Sequence, residues 1–291
     1  MAAALAPSTL DTYRRAWNSY QKFSETFLSI PVVLPLSVSQ LSLFVAYLHH
    51  DGFATKTIST YLSAIGYVHK LNSFPDPATD FLVKKLVAGA YRLRPSFDVR
   101  LPITVPVLNK LNESLSHVTT SLYEQYLFRS MFLLAFSAFA RIGEITLHSS
   151  GNSCKTMQLA DVSIIHNQSV EVTFRFYKHN IKAVPHTVSF SHGPTTYSAV
   201  RALETYLAVR GKAPGPLFLH HNKKPVTRGA FDHLLHRALA FCRLDSSRYK
   251  GHSFRIGAAT VAAQNNLSDA QIRDLGRWSS NAFRRYIRFH V

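Results

Sequence analysis

The sequence has few cysteines, no long hydrophobic run and few acidic residues, and each scarcity narrows what the protein can be. The 291 residues include two cysteines, Cys154 and Cys242, too few for a disulfide framework, which favours a reducing compartment. The apolar segment from Met131 to Ala140 is shorter than the roughly 20 residues that a membrane-spanning helix requires. The first residues lack the basic flank of a signal peptide. We therefore expect a protein of the cytosol or the nucleus, with no membrane association.

Motifs for nucleotides and metals are also missing. No glycine-rich stretch resembles a Walker loop or a dinucleotide-binding fingerprint, so no nucleotide energy source is implied. His220, His221, His233 and His236 have neither thiol partners nor the spacing of a zinc site, which favours phosphate contact or plain surface for them. The sequence predicts neither a metal site nor a cofactor.

Acidic residues are outnumbered about two to one by basic residues. The 33 lysines and arginines against 16 aspartates and glutamates give a formal charge of +17, spread along the chain rather than collected in a tail. Such an excess predicts attraction to a polyanion, with nucleic acid the first candidate and an anionic membrane the second. The membrane is disfavoured because no basic amphipathic helix dominates.

Hydrophobic periodicity predicts a mainly α-helical protein of two domains. Aromatic residues from Tyr13 to Phe23 recur at helical spacing, and prolines and a glycine separate three further periodic segments. Those segments are residues 39–48, with Ser39 as the candidate N-cap, 55–68 and 81–93. Together they predict a small helical bundle over residues 1–100. The boundary is placed near residue 100, where a basic, proline-marked segment suits a linker lying along a phosphate backbone.

The second domain, residues 101–291, is predicted to be mixed but mostly helical. The segment from Leu122 to Ala140 is apolar nearly all round and should form a buried central helix. Residues 170–177 and 187–190 alternate with period two, which predicts a small antiparallel hairpin with Lys178 and Lys182 in its turn. Further helices are predicted at 105–116, 195–210, 228–242, 252–265, 268–275 and 281–289.

Several residues of this domain have both a structural and a functional interpretation. Arg141 follows the most apolar helix, and it either pairs with the glutamate three residues on or faces a ligand. His252 and Arg255 lie three residues apart and share one face of a helix. Trp278 and Tyr286 are either core aromatics or members of a site. A lysine at a hairpin tip is ordinarily just solvated.

Taken in order, five motifs resemble those of the tyrosine site-specific recombinases. They are Ala140-Arg141-Ile142-Gly143-Glu144, the hairpin lysine, His252-Ser253-Phe254-Arg255, Gly276-Arg277-Trp278 and Arg285-Tyr286-Ile287. No single motif is decisive, but five in this order and spacing are specific. The run Gly276–Phe283 is similar to enzymes of eukaryotic mobile elements, the Cryptons and DIRS-like retrotransposons. The resemblance covers essentially the whole chain and implies a SAM-like core-binding domain followed by a catalytic domain.

The resemblance implies a DNA recombinase that works without metal or ATP. Tyr286 would be the nucleophile that forms a covalent 3′-phosphotyrosine bond. Arg141 and Arg255 would compensate the charge that develops on the phosphoryl oxygens. His252 would assist the attack, because a phenol in general, with a reference pKa of about 10, is a poor nucleophile at neutral pH.

The resemblance also implies roles for a hairpin lysine, for Trp278 and for Glu144. Lys178 would protonate the departing 5′ oxygen, with Lys182 as the alternative because hairpin turns are hard to align. Trp278 replaces a more common histidine and stands eight residues before the tyrosine, where many relatives have nine. Its indole N–H would donate to a phosphate oxygen, and Glu144 would orient neighbouring groups.

The resemblance also implies a biological setting. The partner would be double-stranded DNA, bound by a dimer to tetramer, for integration or excision of a mobile element in the nucleus. Two alternatives stay open: a domesticated DNA-binding protein that has lost the reaction, and an enzyme like the type IB topoisomerases. Five residues follow Tyr286, where many relatives have a helix that docks into a neighbouring protomer, so the sequence does not predict the mode of assembly.

Overall fold

The computed structural model describes residues 4–95, 97–147, 153–165, 168–178, 180, 183–192 and 196–288. The chain divides into two compact units, Met1–Asp98 and Val99–Val291, and the sequence placed its domain boundary near residue 100. Within the described ranges, no helix has the length and apolar character needed to cross a membrane. The predicted fold class, mainly helical with a small antiparallel sheet, is confirmed.

The described part of the first unit is a bundle of four α-helices. They are α1 (Pro7–Phe23), α2 (Val38–His50), α3 (Thr55–Leu71) and α4 (Phe81–Leu93), with a π-helical turn, Ser24–Leu28, after α1. Their apolar faces meet in a core around Tyr20, Phe44 and Ile58, all fully buried. The predicted cap of α2 was wrong, because Ser37, not Ser39, forms a reciprocal capping box with the residue three positions on.

The second unit is built around helix α6 (Leu122–Ser137). The side chains from Leu127 to Phe136 are buried with the exception of Arg129, as the all-round apolar pattern predicted. The other helices are α5 (Val105–Val118), α7 (Ile142–Ile145), α8 (Ala199–Arg210), α9 (Arg228–Phe241), α10 (His252–Gln264) and α11 (Asp269–Leu275). Helix α6 ends before the predicted Ala140, and Phe139 takes a left-handed φ of 50°.

The sheet has one strand more than predicted. Its strands are β1 (Val162–Ile165), β2 (Ser169–Phe174) and β3 (His186–Ser191), all antiparallel and in the order β1-β2-β3. Strand β1 was missed because its four residues do not alternate strictly, since Ile164 and Ile165 are both apolar. Strand β2 ends at Phe174, before the predicted Tyr177, so Lys178 lies on a longer loop than expected. Lys182 falls outside the described residues.

Helix α10 approaches the segment before α5 unusually closely. The amide N–H of Ile103 donates to the Ser253 carbonyl at 3.0 Å, and a Cβ added at Gly257 would lie 1.9 Å from the Ile103 carbonyl oxygen. Only glycine permits this approach. The contact fixes the N-terminal half of α10, which carries His252 and Arg255.

After α11, the chain turns back into a short 3₁₀-helix, Asn281–Tyr286, in place of the longer predicted helix 281–289. Phe283 is its fully buried anchor. The backbone around Tyr286 is fixed to α10, because the Thr260 hydroxyl donates to the Tyr286 carbonyl at 3.3 Å and accepts from the Arg288 N–H at 3.1 Å. The backbone of Tyr286 is therefore held against α10.

Candidate active site

Arg255 is the most deeply buried charged side chain of the candidate site. It is 0% exposed, and its two terminal nitrogens donate to the carbonyl oxygens of Phe139 and Gly276. Its guanidinium carbon lies 4.0 Å from the ring centroid of Trp278, a cation–π contact. Burial is the main cause that lowers the pKa of Arg255, and the two other arginines of the cluster act in the same direction. The guanidinium therefore sits in a low-dielectric environment, where its field is strong.

Arg141 forms the ion pair that the sequence offered as its structural interpretation. Its Nη1 donates to Glu144 Oε1 at 2.9 Å, and its backbone N–H donates to Glu144 Oε2 at 2.8 Å, so Glu144 closes the start of α7. The carboxylate is 7% exposed, whereas the side chain of Arg141 is 21% exposed. The pair uses only part of the guanidinium fork, so the structural and the functional interpretation of Arg141 are compatible.

Arg277 is a third arginine in the cluster, and sequence reasoning gave it no role. Its Nη2 donates to Glu144 Oε2 at 2.9 Å and to the Phe139 carbonyl at 3.1 Å. Arg277 therefore shares a carboxylate with Arg141 and a carbonyl acceptor with Arg255. Burial lowers the pKa of Arg277, and the nearby Glu144 carboxylate opposes that shift. The signal in the sequence that could have identified Arg277 was its position between a helix-ending glycine and a tryptophan. An arginine that is buried at such a position must find hydrogen-bond acceptors within the protein.

The rings of three predicted site residues lie together beside this cluster. The centroid of the Tyr286 ring is 4.8 Å from that of His252 and 5.2 Å from that of Trp278. Tyr286 and His252 are partly buried, and Tyr286 contributes to the electrostatic environment of Arg255. The phenol therefore stands between an imidazole and a charged cluster instead of being sealed in the core.

Trp278 is 9% exposed, and its indole packs against both the core and the site. The Nε1–H is buried and has no hydrogen-bond partner among the described residues, which leaves a donor available. The ring lies so close to Gly276 that a Cβ there would be 1.6 Å from Trp278 Cζ3. This close approach is a physical reason for the Gly-Arg-Trp sequence.

Lys178 differs from the other predicted site residues. It is exposed on the loop between β2 and β3, and no hydrogen bond or ion pair joins it to another described residue of the site. The structure thus brings together Arg141, Glu144, His252, Arg255, Trp278 and Tyr286, and leaves Lys178 on the neighbouring loop. Across the described ranges, no group of three or more histidine, cysteine or acidic residues could hold a metal ion.

The arrangement suits chemistry on an oxyanion. Two guanidinium groups pair with a single carboxylate and a third, that of Arg255, donates to backbone carbonyls, so the cluster carries an excess of positive charge. A phenol, an imidazole and an unpartnered indole donor border it. Fixed positive charge and oriented donors stabilise a transition state in which negative charge builds on phosphoryl oxygens.

Comparison with known proteins identifies the class to which this fold belongs. Residues 1–72 match the family model of the phage integrase N-terminal SAM-like domain. The architecture is that of the tyrosine recombinases, and the resemblance predicted from the sequence is confirmed at the level of the fold. No curated protein matches the sequence.

Three solved structures illustrate the likeness. The Tn1549 transposon integrase in complex with circular intermediate DNA is 13% identical, with a TM-score of 0.65, and the match covers 99% of this chain and 91% of that one. The XerH site-specific recombinase bound to its difH substrate is 14% identical, with a TM-score of 0.65 and coverage of 96% and 75%. A lambda integrase dimer bound to a COC′ core site is 13% identical, with a TM-score of 0.65 and coverage of 96% and 90%.

Proposed function

We propose that this protein is a site-specific DNA recombinase that cuts and rejoins strands through a covalent 3′-phosphotyrosine intermediate. The observation that carries the proposal is the position of Tyr286, partly buried between His252 and Trp278 and beside the arginine cluster. The fold likeness to recombinases and integrases supports it. The reaction uses neither metal nor ATP in this proposal.

The proposed cleavage step assigns one role to each of the predicted site residues. The Tyr286 oxygen attacks phosphorus as His252 accepts the phenolic proton, and a bond between the tyrosine oxygen and phosphorus forms. Arg141 and Arg255 compensate the charge on the non-bridging oxygens, to which the Trp278 indole also donates. The bond from phosphorus to the 5′ oxygen breaks, and Lys178 supplies that oxygen with a proton.

Rejoining is the same step in reverse with a different 5′ hydroxyl. The phosphotyrosine bond conserves the energy of the broken phosphodiester, so strand exchange needs no external energy source. We propose that two sequential exchanges integrate or excise a mobile element. This role rests on the resemblance to mobile-element enzymes and on the fold likeness to a transposon integrase. The nucleus is the proposed compartment.

Duplex DNA is the proposed partner, bound by a dimer to tetramer. Three similar structures were determined with DNA, one of them as a dimer. The formal charge of +17 supports attraction to the phosphate backbone. The DNA affinity should fall steeply with salt, because bound counterions are released when basic side chains neutralise phosphates.

The test uses duplex DNA of randomised sequence with one 5′-bridging phosphorothiolate. A thiolate with a pKa near about 8.5 leaves without protonation, and it re-attacks poorly, so the covalent adduct accumulates. Mass spectrometry of the trapped peptide should identify Tyr286. Tyr286→Phe should abolish the adduct with little change in DNA affinity, whereas Tyr249→Phe, the matched control in the same unit, should react like the wild type.

The outcomes separate the competing functions. DNA binding without any adduct would favour a silent DNA-binding protein. Relaxation of supercoils at catalytic turnover without strand transfer would favour a topoisomerase-like enzyme. Lys178→Ala should fail on ordinary DNA and react on the phosphorothiolate, because only the ordinary leaving group needs the acid. Failure of Lys182→Ala instead would assign the acid to that lysine.

A further inference from the structure

We propose that Arg277 is a positioning residue that holds Arg141 and Arg255 in place, an inference that rests on the proposed function. Among the residues that the structure describes, it is the one side chain that shares hydrogen-bond partners with each of the other two arginines. It acts on one of them through a carboxylate and on the other through a backbone carbonyl.

The first connection runs through Glu144 to Arg141. The two carboxylate oxygens of Glu144 accept from different arginine side chains: Oε1 accepts from Arg141 Nη1 at 2.9 Å, and Oε2 accepts from Arg277 Nη2 at 2.9 Å. Oε2 also accepts the backbone N–H of Arg141 at 2.8 Å. A carboxylate held from both sides has a single orientation. Arg277 thereby fixes the direction in which Arg141 can extend its remaining donors.

The second connection runs through the Phe139 carbonyl to Arg255. Arg255 Nη1 and Arg277 Nη2 both donate to this oxygen. The backbone here is unusual, because Phe139 adopts a φ of 50° after the end of α6. Two guanidinium groups on one carbonyl hold that turn against the site, which fixes the acceptor on which the orientation of Arg255 depends.

Like Arg255, Arg277 is committed to acceptors within the protein. Its side chain is 1% exposed, and its terminal nitrogens make four hydrogen bonds, to Glu144 and to the carbonyls of Ala138, Phe139 and Leu275. The guanidinium carbon also lies 3.5 Å from the ring centroid of Phe174, the last residue of β2. Arg141, which is 21% exposed and pairs through one terminal nitrogen, is in the opposite situation.

The planar fork of arginine is what this position uses. A lysine would keep the charge, but a single ammonium group cannot span a carboxylate and three carbonyls. Arg277→Lys therefore keeps the positive charge but loses the hydrogen-bond geometry of the guanidinium group, and Arg277→Met loses both. Arg210→Lys is the matched control, because Arg210 is also buried in the second unit but donates only to backbone carbonyls outside the site.

The first measurement is the single-turnover rate of adduct formation on the DNA recovered from the randomised pool. Arg277→Met and Arg277→Lys should each slow adduct formation about 100-fold, the loss expected when a reacting geometry shifts by about 1 Å. In an Arg141→Ala background, Arg277→Met should cost less than about tenfold, because part of its effect passes through Arg141. Arg210→Lys should retain the wild-type rate even if it melts at a lower temperature.

The second measurement does not depend on the reaction. Inorganic phosphate is titrated into the DNA-free protein while the arginine Nε–Hε resonances are followed by NMR. Arg277→Lys should weaken phosphate binding about tenfold, the lower end of what outer-shell changes cost at metal sites. It should also shift the resonances of Arg141 and Arg255, whereas Arg210→Lys should do neither.

The two arms distinguish the possible failures. If the wild type forms no adduct, the proposed function fails, and the phosphate titration still judges the role of Arg277. The inference is overturned if Arg277→Lys keeps the wild-type adduct rate and phosphate affinity, or if Arg277→Met costs the same factor with and without Arg141. If Arg277→Met does not fold, Arg277→Lys in both backgrounds supplies the comparison.

Discussion

Gly276 is a position where one added methyl group should disturb both the fold and the site. An alanine Cβ would lie 1.6 Å from Cζ3 and 1.9 Å from Cε3 of Trp278. The backbone φ of −84° accepts alanine without strain, so the whole conflict is with the indole. The indole has little room to move, because it is 9% exposed and packs against Arg255, Phe139 and Tyr286.

The expected magnitude follows from two opposing contributions. Overpacking a filled core destabilises the folded state by about 1–3 kcal/mol. Replacing glycine by alanine at an allowed φ stabilises it by about 0.4–1 kcal/mol, because the unfolded chain loses conformational freedom. The net loss in the free energy of unfolding should be about 1–2 kcal/mol, which lowers Tm by about 2–8 °C for a unit of this size. The adduct rate should fall about 100-fold, because the Gly276 carbonyl that Arg255 donates to moves with the indole.

Thermal unfolding and single-turnover adduct formation measure the two effects on the same protein. Gly229→Ala is the control: it adds the same methyl group in the same unit, where the nearest atom, Thr227 Oγ1, would be 3.9 Å away. The control should melt at or slightly above the wild-type temperature and react normally. A Gly276→Ala protein that matched the control in both Tm and rate would refute the reasoning.

Three further substitutions test other parts of the structure. Gly257→Ala should lower the free energy of unfolding by about 1–3 kcal/mol in denaturant titration, because the backbone carbonyl of Ile103 cannot move aside as a side chain can. An unchanged denaturation midpoint would contradict the close approach of α10 to Ile103. The buried backbone N–H of Leu36 donates to His69 Nε2 at 2.9 Å, so His69→Ala leaves it without an acceptor. The free energy of unfolding should fall by about 1–3 kcal/mol in the same assay. A near-neutral change would mean that the bond is not formed. Burial raises the pKa of Tyr206, so the folded protein keeps that phenolic proton at a pH where the unfolded chain has lost it. The contribution of Tyr206 to the free energy of unfolding should therefore be fully present below about pH 10 and decrease as the pH rises further. Tyr206→Phe should reduce this alkaline loss of stability in urea titrations.

Apart from Lys178, the residues that the motif order predicted to converge lie together, and local sequence explains why. His252 and Arg255 are three residues apart at the start of α10, so one helix presents both. Tyr286 arrives beside them because a buried Phe283 anchors its short helix and Thr260 ties down its backbone. Helical spacing and apolar anchors are visible in a sequence. The placement of these residues was therefore predictable, whereas their roles remain predictions.

Arg277 could not be assigned in the same way. Its importance depends on the Phe139 turn and on Glu144, both more than a hundred residues away in sequence. Nothing in the local pattern shows that α6 ends in a left-handed residue that offers its carbonyl to the site. Strand β1 and the early end of β2 escaped prediction for a related reason, because the pairing of short strands is decided by long-range contacts.

The charge balance of the site explains why a buried cluster of like charges can serve a function. Arg141 and Arg277 share one carboxylate and Arg255 donates to backbone carbonyls, so the mutual repulsion of the three guanidinium groups is only partly offset by Glu144 and by the carbonyl oxygens of Phe139 and Gly276. Repulsion and burial together lower the pKa of Arg255, which is the direction expected where the charged form is held at a cost. In the proposed reaction a phosphodiester brings the missing negative charge, and still more of it develops in the transition state. Stabilisation that increases with the charge on the substrate favours the transition state over the ground state, which is the condition for catalysis. The repulsion among the guanidinium groups of the folded protein is therefore relieved most in the transition state.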